Sequence, residues 1–298
     1  MSKRAHERIE SLRQQGIEQV KRGLFEEGLR FYREALQEAA RRCDTQSQFQ
    51  INCDIAIAYR KQERYPEALE LLDTILQYNN DSTLKIIALV ELAIIHYHRM
   101  EYETALSELD KAETLEHGLN DPKLRYHVLN TYGAVHFFAG ELEQAHQRFG
   151  QALSVSEAQK HERGITTSQF NCGYCKVYVG EIQEGIKAIK RSLHLARETQ
   201  DEHAAAHALK GLFFAYYKLA DFSKAREFAQ QALALATQNS YNEVAAEVYY
   251  YLGKIHQIEE DDAVAEACFN SVEKLDPRVP ARFLKALDPS FAFVPETL

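Results

Sequence analysis

At 298 residues the chain is long enough for two globular domains, and its 45% hydrophobic and 27% charged residues are those of a folded water-soluble protein. Its 35 basic and 44 acidic residues leave a formal net charge of −9, which argues against a nucleic-acid or anionic-membrane binder with its basic stripe. Only 13 Gly and 6 Pro interrupt it, so a nearly all-helical chain is expected.

Residues 1–8 read as an N-terminal extension: basic, without the apolar stretch of a secretory signal. From residue 9 to residue 277 a small residue returns seven times, followed four positions later by a larger apolar one in every repeat but the sixth, where Ala229 takes that place. The small residues are Gly28, Ala68, Ala105, Ala145, Gly185, Ala225 and Ala265, spaced by 40, 37, 40, 40, 40 and 40 positions. Repetition at such a period predicts stacked helix pairs, each exposing an apolar face that its neighbour covers. Within a pair, the small residue lets helix B approach helix A, and the residue four later fills the space on the same face.

The punctuation fits. Lys21–Phe25, Phe138–Leu142 and Val179–Ile182 each place Gly at the end of helix A, where a left-handed residue is required, with acidic residues in two of them at the start of helix B. Asp44-Thr45, Asn80-Asp81-Ser82, Asn120-Asp121-Pro122 and Thr199-Gln200-Asp201 supply caps between repeats. After Pro277, residues 278–287 predict a capping helix and residues 288–298 an extended apolar tail.

Two repeats carry a fuller signature. Tyr249-x2-Leu252-Gly253-x2-His256 leads to Ala265-x3-Phe269 and Pro277, and Leu129-x2-Tyr132-Gly133-x2-His136 leads to Ala145-x3-Phe149. With Tyr for Trp and His for Tyr, this resembles the tetratricopeptide repeat in a long, roughly 40-residue variety. The resemblance implies an all-α, right-handed α-solenoid of about seven helix-turn-helix units whose A helices line a concave groove.

The inward positions that the resemblance assigns give, in the first three repeats, a mixed set including Glu10, Arg13, Asp54, Arg60 and Glu91. In the last four they give asparagines, aromatics and lysines: Asn130, Phe137, Asn171, Tyr174, Tyr178, Lys210, Phe214, Tyr217, Lys218, Tyr250 and Lys254, with Tyr251 beside them. Asn serves both groups of a peptide backbone, rings offer contact area at low entropy cost, and Lys matches an acidic side chain or terminal carboxylate. These are the candidate peptide-binding residues. Two readings stand for each: a ligand contact, or simple packing between A helices for the rings and a solvated wall for Asn130, Asn171 and Lys210.

Other chemistry is thinly represented. Cys172-x-x-Cys175 falls inside a helix A rather than at a helix start, and five scattered cysteines suggest reduced thiols in the cytoplasm. His203 and His207 sit one turn apart, without a further ligand at obvious spacing except Asp201 and Glu202. His96, His136 and His256 read as packing residues with a polar tip. No phosphate-loop, dinucleotide, zinc-protease or nucleophile-elbow motif occurs, so neither catalysis, a metal nor a cofactor is expected. The function expected is a cytoplasmic adaptor that grips a peptide or helix of a partner. The alternative is a ligand-responsive regulator similar to bacterial intracellular peptide sensors, lacking a DNA-binding domain of its own. Self-association into a homodimer through the tail is a further reading.

Overall fold

The structure, a computed structural model, describes residues 3–276. Among them the chain forms fourteen α-helices and no strand: α1 (Lys3–Lys21), α2 (Phe25–Arg41), α3 (Thr45–Lys61), α4 (Tyr65–Tyr78), α5 (Ser82–His98), α6 (Tyr102–Glu116), α7 (Pro122–Phe138), α8 (Leu142–Ala158), α9 (Glu162–Tyr178), α10 (Ile182–Glu198), α11 (Glu202–Lys218), α12 (Phe222–Asn239), α13 (Asn242–Ile258) and α14 (Asp262–Leu275). Odd-numbered helices are the A helices and even-numbered ones the B helices. Because α1 starts at Lys3, the segment read as an extension joins the first helix. The capping helix and tail expected at 278–298 lie outside the described residues.

The chain divides into two compact units, one ending at Thr131 and one starting at Tyr132, within α7. In the first, α1 to α6 pack each on the next, and α1 also touches α3, as α3 touches α5. In the second, α8 to α14 do the same, with α9 against α11 and α11 against α13. In both units, A helices therefore meet the A helices of the adjoining repeats.

The repeated small residues sit at the centre of each helix pair. Ala68, Ala105, Ala145 and Ala225 are fully buried. A Cβ at Gly185 would lie 2.6 Å from the Gly173 carbonyl oxygen, so no larger residue fits between α9 and α10. The residues four later are buried too: Tyr32, Leu72, Leu109, Phe149 and Ile189. Phe149 lies flat on Gly133 of α7, which leaves the ring no room for a side chain there.

From α7 on, a helix starts every 20 residues, and every turn of the described residues except that between α4 and α5 contains one left-handed residue. Gly23, Gly140 and Gly180 fill that role as expected, but Cys43, Glu63, Met100, Asn120, Lys160, Gln200, Ala220, Ser240 and Glu260 do so without being glycine. The one shortened spacing, 37, has a local cause. Helix α4 has 14 residues where its neighbours have 15 to 17, and it ends in extended Asn79, whose side chain accepts the Asp81 N–H. Asp44, Asp81, Asp121 and Asp201 cap as read from the sequence; Asp221 and Asp261 cap as well.

Candidate functional site

In the second unit α9, α11 and α13 stand side by side, and their facing residues form a wall of rings. Phe137 meets Tyr178 edge-on with ring centres 5.2 Å apart. Tyr178 stacks on Phe214 at 5.1 Å, and Phe214 lies 5.1 Å from Tyr251. Tyr217 and Tyr250 flank Tyr251 at 5.1 and 5.3 Å, and Tyr250 reaches Phe269 at 5.9 Å. Tyr174 fills the space behind, 5.9 Å from Phe137 and 5.5 Å from Phe214, with Phe170 stacked on it. Each such contact is worth roughly 0.5–1.5 kcal/mol beyond the area it buries. Close approach of the helices is possible because α11 carries Gly211 opposite Phe170 and alanines at 208 and 215.

Within this apolar wall lies one charge pair. The Lys210 ammonium is 2.8 Å from a Glu247 carboxylate oxygen, the two side chains being 3% and 5% exposed. Burying two ions costs several kcal/mol each, and only mutual pairing makes the arrangement tolerable. One turn before Lys210, His207 is wholly buried; burial first, then His203 and Lys210, hold its pKa well below the ordinary histidine value. Burial likewise pushes the Tyr174, Tyr178 and Tyr251 hydroxyls well above the usual tyrosine range, with the Glu247 charge adding to each.

This placement separates the candidates into two sets. Phe137, Asn171, Tyr174, Lys210 and Phe214 are buried, so the wall lysine read as solvent-facing has its counter-ion inside the chain. Tyr178, Tyr217, Tyr250 and Lys254 are half-buried and Lys218 is exposed, forming the accessible border. The Lys254 ammonium stands 5.6 Å over the Tyr250 ring and 5.7 Å over Phe269. Asn130, half-buried, belongs to the first unit and is considered separately. Glu247 and Phe170 went unread, and His207 was read only as half of a histidine pair. The signal for Glu247 was present: a lone acid in Val-Ala-Ala-Glu-Val and a lone lysine in Ala-Leu-Lys-Gly-Leu both demand a buried partner.

The A-helix wall of the first unit is built differently. Arg13 of α1 pairs with Asp54 of α3, and Arg60 of α3 pairs with Glu91 of α5. At the A–B turns, His96 and His136 each place Nδ1 2.6 Å from the carboxylate five residues on, Glu101 and Glu141, while His256 faces Asp261 at 3.7 Å. Cys172 and Cys175 are buried free thiols, and burial pushes Cys172 up to about 12. Among the described residues no three His, Cys, Asp or Glu side chains group as metal ligands, and no helix is long and apolar enough to cross a membrane.

A family model described as anaphase-promoting complex subunit 5 matches residues 56–130 and 134–219, together more than half of the chain. The chain belongs to this family. Its repeats are of the tetratricopeptide type. Among curated proteins none matches. Among solved structures the chain is similar to the Rap conjugation gene regulator of plasmid pLS20 in complex with the Phr* peptide, with TM-score 0.74, 13% identity, and coverage of 98% of this chain and 79% of that one. It is similar to the apo form of RapI, with TM-score 0.70, 13% identity, and 92% and 99% coverage. A tetratricopeptide repeat protein from Parabacteroides merdae aligns with TM-score 0.60, 16% identity, and 94% and 98% coverage. At these identities the likeness concerns the fold: all-α helical repeats of the solenoid class.

Proposed function

We propose that this chain is a non-catalytic adaptor of the cell interior, without a cofactor, that holds a peptide or helix of another protein on the A-helix wall of its second unit. One observation carries the reading. A run of contiguous rings crosses several A helices and ends in a border of Tyr178, Tyr217, Lys218, Tyr250 and Lys254 that a ligand can touch. The rings would supply apolar area, and the two lysines would pair with an acidic side chain or a terminal carboxylate. Phe137, Asn171, Tyr174, Lys210 and Phe214 would act from behind, keeping that border in place. Asn130 would make a contact of its own within the first unit. A role held through partners is in keeping with a family named for a subunit of a larger assembly.

The test is affinity capture from the native lysate with the intact chain and with Tyr217→Ser, Lys218→Glu and Lys254→Glu combined. The combined variant should keep its helicity and lose the captured protein. Undiminished capture would place the binding surface elsewhere.

A second reading, a ligand-responsive regulator, is favoured by the likeness to a regulator solved with a peptide bound. Small-angle scattering separates the two: a regulator contracts measurably on binding its peptide, and an adaptor keeps its dimensions. Light scattering before and after deleting residues 288–298 checks self-association through the tail; an unchanged mass would count against that route.

A further inference from the structure

The outer face of α10 differs from those of the B helices before and after it. Lys187, Lys190, Arg191, His194 and Arg197 follow one another at i, i+3, i+4, i+7 and i+10, which places them on one helix face, and all five are exposed. Forty residues earlier, on α8, the same register positions hold Gln147, Gly150, Gln151, Ser154 and Glu157. Forty residues later, on α12, they hold Glu227, Gln230, Gln231, Ala234 and Thr237. A repeat that needs only solubility there has no reason to concentrate cations on one helix of a chain whose net charge is −9. Internal pairing uses part of this charge: Glu184 reaches Lys187 at 2.7 Å, and Glu198 lies 3.4 Å from His194.

The stripe leads to a cleft. Arg197, whose guanidinium donates to the Gln231 side-chain oxygen at 3.2 Å, forms one side of a cavity of about 650 Å³ between α10, α11 and α12. Ala205, Leu209, Ala234 and Leu235 give it an apolar floor, and Gln231 and Gln238 an amide rim. Amides suit a polypeptide backbone, and the floor suits an aliphatic side chain.

We infer that α10 and this cleft form a second docking surface, for an acidic segment of a partner protein that carries an aliphatic residue at one end of its acidic run. From Lys187 to Arg197 the stripe is ~15 Å long, about three helical turns, and so matches a short amphipathic helix. Charge complementarity names the occupant: carboxylates face the cations and the aliphatic side chain enters the cleft. A nucleic acid fits less well, because the apolar floor of Ala205, Leu209, Ala234 and Leu235 at the end of the stripe takes an aliphatic side chain and offers nothing to a phosphate backbone.

The probe is a fluorescein-labelled amphipathic peptide of about 18 residues made of Glu, Ala and Leu, followed by anisotropy on the full chain at low and physiological salt. Binding should weaken steeply with salt. The Lys187→Glu, Arg191→Glu, Arg197→Glu variant should lose at least about tenfold in affinity, and the matching Gln variant should lose less. Replacing the peptide's leucines with alanine should cost roughly three- to tenfold, reading the cleft separately from the stripe. Substitutions at Tyr217, Lys218 and Lys254 should leave this affinity alone, which separates the surface from the ring wall. Because the substituted residues are exposed, circular dichroism should be unchanged in every variant. No binding by the wild type, equal binding by the charge-reversed variant, or tighter binding of an oligonucleotide of the same length would each overturn the assignment. So would a dimer of the wild type that the charge reversal dissolves and the peptide does not, since the occupant would then be a second copy.

Discussion

Through Thr131 the A helices are tied to one another by guanidinium–carboxylate pairs; from Tyr132 on, rings take over that task and a single ammonium–carboxylate pair is sealed among them. The side chains of Arg13 and Asp54 are 23% and 12% exposed, whereas those of Lys210 and Glu247 are 3% and 5% exposed. The same helix-pair scaffold thus tolerates two kinds of inter-repeat contact. Water decides between them, because a pair that keeps some hydration gains little and loses little, while a dry pair must be satisfied completely.

That contrast can be broken directly. Glu247→Ala removes the carboxylate that pairs with Lys210 in the apolar wall and should cost about 3–5 kcal/mol, whereas Asp54→Ala in the wetter first unit should cost only about 1–3 kcal/mol, both read by urea unfolding. Equal losses would mean that the two walls are equally dry. Replacing Lys210 and Glu247 together by methionine should restore most of the stability, since an apolar pair of similar volume has no desolvation to recover. Close behind comes Phe214→Ala, which removes a ring touching Tyr174, Tyr178, Tyr217 and Tyr251 and should cost about 3–5 kcal/mol in the second unit alone.

A smaller effect is set by pH. His207 is held neutral in the folded chain, with its pKa well below the ordinary value, whereas the unfolded chain protonates it near pH 6.5. Between those two values the unfolded state binds more protons, so stability falls as pH drops below about 6.5 and is fully present above it. Substituting His207 with phenylalanine should flatten that part of the stability profile; an unchanged slope would assign the acid sensitivity to other groups.

The smallest effect should be the same in both units. Glu63 in the first and Lys160 in the second hold left-handed backbone without being glycine, and Glu63→Gly or Lys160→Gly should each gain about 0.5–1 kcal/mol in thermal unfolding. A gain in one unit only would show that the turns, and not just the walls, differ between them.

Much of this architecture was legible in the amino-acid order. Ala145 with Phe149, and Gly185 with Ile189, announce a close helix pair because only a small residue admits the facing backbone. Aspartates at 44, 81 and 201 mark helix starts through their own capping bonds. The left-handed Lys160 and Ala220 were not legible: nothing in their side chains asks for that conformation, which two flanking helices of set length impose. The candidate site was half legible. Register brings Tyr178, Phe214, Tyr217 and Tyr250 together, but burial follows from the distance between neighbouring A helices, and Gly211 sets that distance through a contact with Phe170 on another helix. Lys210 went to Glu247, rather than to open groove, for the same reason.

The chain has 16 tyrosines and no tryptophan, and five of those tyrosines, at 174, 178, 217, 250 and 251, stand together in the ring wall. Near-ultraviolet absorbance and phenol emission therefore include that wall among the signals of sixteen phenols, without any label or indole background. Alkaline difference spectra should resolve a late-ionising group of phenols, and any molecule settling on the wall should announce itself optically in the unmodified protein.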